Sequence, residues 1–224
     1  MAQFSETSFE ILGALAQNNS KEWYDANRAR LQEDARAPFA DLLERVTLRL
    51  EGSRYPLIGS AKTMFRQNRD IRFSKDKTPY KTTVSGMLTR SGTKFDTGGL
   101  VYAQIDVEGG MIAAGFYKLA GPELGAMREA ILRDAERFAR IRSDLEARGL
   151  ALGTEDRLKS MPRGYADKAD HPQADALRLK SFILREDVPK PAWISGEIVE
   201  RLAAFVETVG PLLDFGRDAI AAKP

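Results

Sequence analysis

The spacing of apolar residues divides the chain into a helical stretch, an alternating stretch and a second helical stretch. Phe39, Leu42, Leu43, Val46 and Leu50 recur at the three-and-four spacing of one helix face, with Pro38 at the start and Gly52 at the end. Upstream, Thr7 with Glu10 predicts a capping box that opens a short helix carrying Phe9, Ile11, Leu12 and Leu15, closed by Asn18 and Asn19. Asn19 or Ser20 then caps a second helix over residues 21–36, whose packing face holds Trp23, Tyr24, Asn27 and Leu31. Aromatic residues on such a face usually belong to a core.

Past Tyr55-Pro56 the period changes to alternation. Over residues 65–73, Phe65, Ile71 and Phe73 fall on one side and Arg66, Asp70 and Arg72 on the other, which predicts a strand burying its apolar side beneath a charged one. Gln67 and Arg69 interrupt the apolar side. Either a turn or bulge falls at 67–70, or Arg69 is buried with a carboxylate partner. Residues 74–79, SKDKTP, read as a loop, because Asp, Lys and Pro are poor in a central strand. Residues 82–90, a glycine-rich loop at 91–99, and the alternation of Val101, Ala103, Ile105 and Val107 then predict a meander. The Glu108-Gly109-Gly110 turn returns it through residues 111–117.

A helix is predicted from Pro122, with Leu124, Met127, Ile131 and Ala135 inward, followed by Phe138, Ile141 and Leu145 up to Gly149. Residues 154–171 are polar and turn-rich. A strand over 179–186 and a helix over 193–209, with Ile194, Ile198, Leu202, Phe205 and Val209 on one face, complete the pattern. Residues 216–224 read as a frayed tail. Helices flanking hairpin-linked strands predict an α+β fold: an antiparallel sheet packed with N-terminal, middle and C-terminal helices. With no internal repeat and no long linker, residues 1–224 read as a single domain.

Composition removes several chemistries. The chain has no cysteine and one histidine, so a disulfide framework, a thiolate nucleophile, a thiolate metal site and a histidine-rich metal site are all set aside. No apolar run is long enough to span a bilayer, and MAQFSETSFE lacks the basic-then-apolar order of a signal peptide; a cytoplasmic protein without a membrane partner is expected. Neither GxGxxG nor GxxxxGK[ST] occurs, which argues against a nucleotide loop.

Charge then singles out one stretch. FRQNRDIRFSKDKTPYK, residues 65–81, holds Arg66, Arg69, Arg72, Lys75, Lys77 and Lys81 against Asp70 and Asp76, a net +4 in a chain whose total is +2. The remainder carries 28 basic and 30 acidic residues, so the positive surplus is local. This string, with NNSKEWY upstream and AAGFYKLAGPELGAMREAI, MPRGY, DHP and LKSF downstream, resembles the family known as domain of unknown function 2461 over nearly the whole chain. The resemblance implies a soluble, single-domain protein and brings no established activity, cofactor or catalytic residue with it. The family pattern has an aliphatic residue where this chain has Gln67, a departure that weakens an uninterrupted strand there.

Arg72, Lys75, Lys77 and Lys81 around a turn suit phosphate or carboxylate, Arg by bidentate contacts and Lys as a point charge; Arg66, Arg69 and Tyr80 complete the candidate binding set. Asp70 and Asp76 either hold these cations in place or serve as a base or Mg²⁺ ligand beside a bound phosphate. His171, in Asp170-His171-Pro172, is the third catalytic candidate, against the plainer reading of a residue capping a helix. The motif therefore reads as a site for a small anionic ligand, with or without chemistry on it, or as a salt-bridge network in a structural or protein-interaction role. Nucleic acid is the less favoured partner, because pI ≈ 8.8 and an acidic remainder lack the basic face usual in such proteins. The pattern names no cofactor, no metal site and no oligomeric state.

Overall fold

The computed structural model describes residues 3–96 and 98–222 and has an α+β architecture, a four-stranded antiparallel sheet with helices before, between and after its strands. In chain order the elements are α1 (Glu6–Gln17), α2 (Lys21–Leu31), α3 (Ala37–Leu50), β1 (Val84–Leu88), β2 (Leu100–Asp106), β3 (Gly109–Phe116), α4 (Gly121–Arg133), α5 (Ala135–Glu146), α6 (Ala174–Leu177), β4 (Phe182–Pro189), α7 (Lys190–Ile194) and α8 (Ile198–Ala221). The sheet order follows the chain, β1-β2-β3-β4. Thr97 in the expected glycine-rich loop, and residues 223–224 of the expected tail, lie outside the described residues.

Local chemistry explains where the helices begin. The capping box of α1 is made by Ser5 and Ser8, not by Thr7 and Glu10; the Ser8 hydroxyl accepts the Ser5 N–H at 3.1 Å. Ser20 caps α2 by accepting the Trp23 N–H at 3.2 Å. The helix expected to end at Arg36 instead runs on through a π-turn, Gln32–Arg36, into α3. Pro38 has no N–H to return to the preceding turn, and the Ala37 N–H reaches back to the Gln32 carbonyl, so the widened turn carries the chain past the proline.

By contacts, the described residues form two compact units. The first takes the chain up to Asp96, then Val101–Ile112 and Asp187–Phe205. In it β1 pairs with β2 in the register Val84–Ile105, Gly86–Ala103 and Leu88–Val101. Those residues sit on the face that α3 covers: a Cβ on Gly86 would come 2.8 Å from Leu43 and 3.1 Å from Phe39. Trp193 closes this core, fully buried, with its ring edge-on to Phe4 at 5.3 Å and roughly parallel to Phe39 at 6.4 Å. The single helix expected over 193–209 is broken here, because Gly196 adopts φ +80 and the Ser195 hydroxyl accepts the Glu197 N–H at 3.3 Å.

The second unit takes 98–100, Ala113–Glu186 and the chain from Val206 onward. Its core is built on Phe138, which meets Phe182 edge-on at 6.5 Å and Phe215 at 5.2 Å. The expected tail is helical instead: α8 continues through Gly210 and Pro211 to Ala221. A proline inside a helix costs about 3 kcal/mol. Burial of Leu212, Leu213 and Phe215, each contributing roughly 1.5–3 kcal/mol, outweighs it.

No helix among the described residues is long and apolar enough to cross a membrane. Just past the β2–β3 turn, the start of β3 leaves no room for a side chain. Gly110 has φ +152, and a Cβ there would overlap the Gln104 carbonyl oxygen and come 2.9 Å from the Trp193 ring. Gly110→Ala should therefore destabilise the protein by at least about 2 kcal/mol, read as a lowered urea midpoint. An unchanged midpoint would contradict this packing.

Candidate functional site

Residues 65–81 do not form the predicted strand. They form a hook in the first unit, with a neck of paired backbone and a tip at residues 70–78. At the neck the Lys81 N–H donates to the Gln67 carbonyl at 2.8 Å, the Arg69 N–H to the Pro79 carbonyl at 2.9 Å, and Asn68 pairs with Tyr80. The chain then turns back because two aspartates favour turns over extension. The Asp70 carboxylate accepts the Arg72 N–H at 3.3 Å, and the Asp76 carboxylate accepts the Thr78 N–H at 2.9 Å.

Side-chain hydrogen bonds and one ring stack hold the neck in place. Gln67 is 3% exposed; its amide donates to the Thr83 carbonyl at 2.9 Å and to that of Lys81. Asn19 accepts the Tyr80 N–H at 3.0 Å and donates to the Tyr80 carbonyl at 2.9 Å. Tyr80 stacks on Tyr24, centroids 3.9 Å apart and planes within 7°. It is thus a packing residue of the neck. Arg36, set by the π-turn, donates to the Phe65 carbonyl at 3.2 Å and the Gln67 Oε1 at 3.3 Å. Lys94 donates to the Met64 carbonyl at 2.9 Å. Neither Arg36 nor Lys94 was visible as part of the site in sequence, since each lies about thirty residues from its acceptor and no linear pattern links them.

The tip divides its charges into two groups. Arg72 grips Asp70 through two parallel bonds of 2.9 and 2.7 Å, and Arg69 donates to Asp76 at 2.5 Å, to the Thr78 carbonyl at 3.1 Å and to the Thr78 hydroxyl. The Thr78 backbone N–H first, and Arg69 and the Thr78 hydroxyl after it, pull the Asp76 carboxyl down to about 2; Arg72 lowers Asp70 as well. Carboxylates so stabilised are weak bases. Among the described residues no group of three or more acidic or histidine side chains is placed to hold a metal. The other group is Arg66, Lys75, Lys77 and Lys81, none within ion-pair distance of a carboxylate among the described residues, although Arg66 lies near enough to Asp70 to help hold its pKa down. Lys77 donates to the Ile71 carbonyl at 2.9 Å, and the Lys81 ammonium sits 5.2 Å from the centre of the Phe65 ring. Burial, then the nearby Arg66, push the Lys81 pKa below its ordinary value.

The apolar side of the alternation fares differently at each position. Phe65 and Ile71 are half-buried, whereas Phe73 is 96% exposed. The alternation fails at Phe73 because the Asp70 turn ends the extended backbone before it.

A family model described as conserved hypothetical protein (DUF2461) matches residues 7–215. The chain belongs to this family. No curated protein and no solved structure matches it. In this DUF2461 chain two of the family-like strings meet at the hook, since NNSKEWY supplies Asn19 and Tyr24 to the tyrosine of TPYK.

The other strings that carry the resemblance lie in the second unit. Arg128, 8% exposed, donates to the carbonyls of Leu177 at 2.8 Å and Leu179 at 3.3 Å, and lies 5.9 Å from the Tyr165 ring. Tyr165 donates to Glu129 at 2.7 Å, and burial followed by that carboxylate pushes its phenol up to about 12. Ser181 donates to Asp156 at 2.9 Å and accepts the Lys118 N–H at 2.9 Å, while Lys180 pairs with Asp156 at 2.7 Å. His171 lies in this unit and accepts the Gln173 N–H on Nδ1 at 3.1 Å, immediately before α6. Arg128 had no periodic signal as a buried cation, because it reads as one more polar position on α4.

Two outcomes follow from these contacts. The Asp76 carboxyl, titrated by NMR, should have its midpoint at about 2, and Arg69→Ala should raise it toward 3.8 without reaching it, because the Thr78 N–H remains. Since the folded value is the depressed one, the stability it contributes is present above pH 3.8 and disappears as pH falls through about 2. Arg128→Ala would leave two backbone carbonyls without donors and should cost about 2–4 kcal/mol in urea denaturation. A loss under about 0.5 kcal/mol would show that water replaces the guanidinium without penalty.

Proposed function

We propose that this protein binds an anionic group, phosphate or carboxylate, at the basic hook. The observation that carries the reading is the division of charge at the tip. Two arginines and two aspartates pair with one another, which leaves Arg66, Lys75, Lys77 and Lys81, four positive charges with no carboxylate within ion-pair distance among the described residues. A salt-bridge network accounts for the first group and not for the second. Lys81 is informative because burial and Arg66 both oppose its charge. An anion between the two cations would offset both effects, so the hook gains electrostatically from a ligand. Within this reading Asp70 and Asp76 orient the tip, and no chemical step on the ligand is assigned.

Phosphate and pyrophosphate should raise the melting temperature in a concentration-dependent way. At a hundredfold excess over Kd the added stability is about 2.7 kcal/mol, which corresponds to a rise of roughly 5–10 °C for a chain of this size. Arg66→Gln and Lys75→Gln should leave the ligand-free melt unchanged and remove most of that rise. Arg133→Gln, on α4, should keep it. A panel of phosphates and carboxylates that leaves the melt where it was would reject the reading in favour of a structural network.

A further inference from the structure

An aromatic ring standing in water at the tip of a basic hook calls for a partner. Burial of an aromatic ring is favourable, yet Phe73 is 96% exposed. Its neighbour Arg72 lies 5.8 Å from the ring centre, and Lys75 and Lys77 follow within four residues. A second ring, Phe95, is 90% exposed on the loop after β1. That loop is tied to the root of the hook, since Lys94 donates to the Met64 carbonyl at 2.9 Å. Two exposed rings thus stand on two loops anchored to one short stretch, Met64 to Gln67, each beside lysine or arginine.

We infer that the hook is a contact site for single-stranded nucleic acid, with Phe73 as the face on which an unpaired base stacks. This rests on the anion-binding reading and narrows its ligand to phosphates joined along a chain. Arg66, Lys75, Lys77 and Lys81 meet the flanking phosphates, and Phe95 offers a second face. A free phosphate or carboxylate would draw on the cations and leave Phe73 without a role. A duplex encloses its base faces, whereas a single strand exposes them to an aromatic side chain. A lipid surface fits less well, because one phenylalanine at the tip buries little apolar area in a bilayer interface. The modest overall charge does not oppose the inference, since the cations concerned lie on one hook instead of being spread over the molecule.

The test uses the full chain and fluorescent oligothymidylate and oligouridylate about 12 nucleotides long, followed by anisotropy. Binding should weaken between about 50 and 200 mM salt with a log–log slope near −3, as about four phosphate contacts to a single strand require. Phe73→Ala should weaken binding at least about fivefold while the melt and the salt slope stay as they were. Lys75→Gln should instead flatten the slope by about 0.7. Comparing the two oligomers reports whether DNA or RNA is preferred, and binding of either with these properties supports the inference. Equal affinity for duplex, an unchanged affinity in Phe73→Ala, or binding only to phosphatidylserine vesicles would overturn it. If phosphate and pyrophosphate still raise the melt while neither oligomer binds, the anion site stands and the nucleic-acid inference falls; if nothing binds, both fall.

Discussion

The hook depends on one constraint, that backbone carbonyls outside helices and strands still need donors when they are withdrawn from water. Gln67 supplies Lys81 and Thr83, Asn19 supplies Tyr80, Arg36 supplies Phe65 and Lys94 supplies Met64. Four side chains from four different parts of the chain do for this segment what a neighbouring strand would do for a regular one. Arg128 plays the same part for Leu177 and Leu179 in the second unit. Irregular backbone is held in one shape where such donors reach its carbonyls, and Asn19, Gln67 and Arg128 lie within the strings that carry the family resemblance.

Periodic elements were legible in the sequence where one face of each meets a core. Phe39, Leu42, Leu43, Val46 and Leu50 are all buried on α3, and Val101, Ala103 and Ile105 on β2, as their spacing implied. The same logic misplaced Phe73, because alternation presumes that the backbone stays extended and the Asp70 and Asp76 turns end that extension. The far end of α8 was missed for a related reason. Gly210 and Pro211 are strong local stop signals, and the buried Leu212, Leu213 and Phe215 override them through contacts that only tertiary structure brings together. The site was half legible: its cations were countable, but which of them Asp70 and Asp76 neutralise is a matter of geometry.

That division also explains why a weakly charged protein can present a strongly charged feature. The ion pairs of the tip are exposed and worth little to stability. Their effect is positional: Arg69 reaches across the loop to Asp76 and Arg72 closes on Asp70, so neither carboxylate is left to pair with Lys75, Lys77 or Lys81. A loop already closed by its own side chains loses less conformational freedom on meeting a partner than an open one does.

Trp193 has a consequence for how the protein is made. It fills the core of the unit that carries the hook, yet its partner Phe4 lies at the other end of the chain, and the Gln3 amide donates to the Ile194 carbonyl across 191 residues. At the usual 5–20 residues per second, the ribosome needs roughly 10–40 seconds to deliver Trp193 after Phe4 has emerged. Throughout that interval the Phe4 and Phe39 rings lack the partner that packs on them in the finished fold.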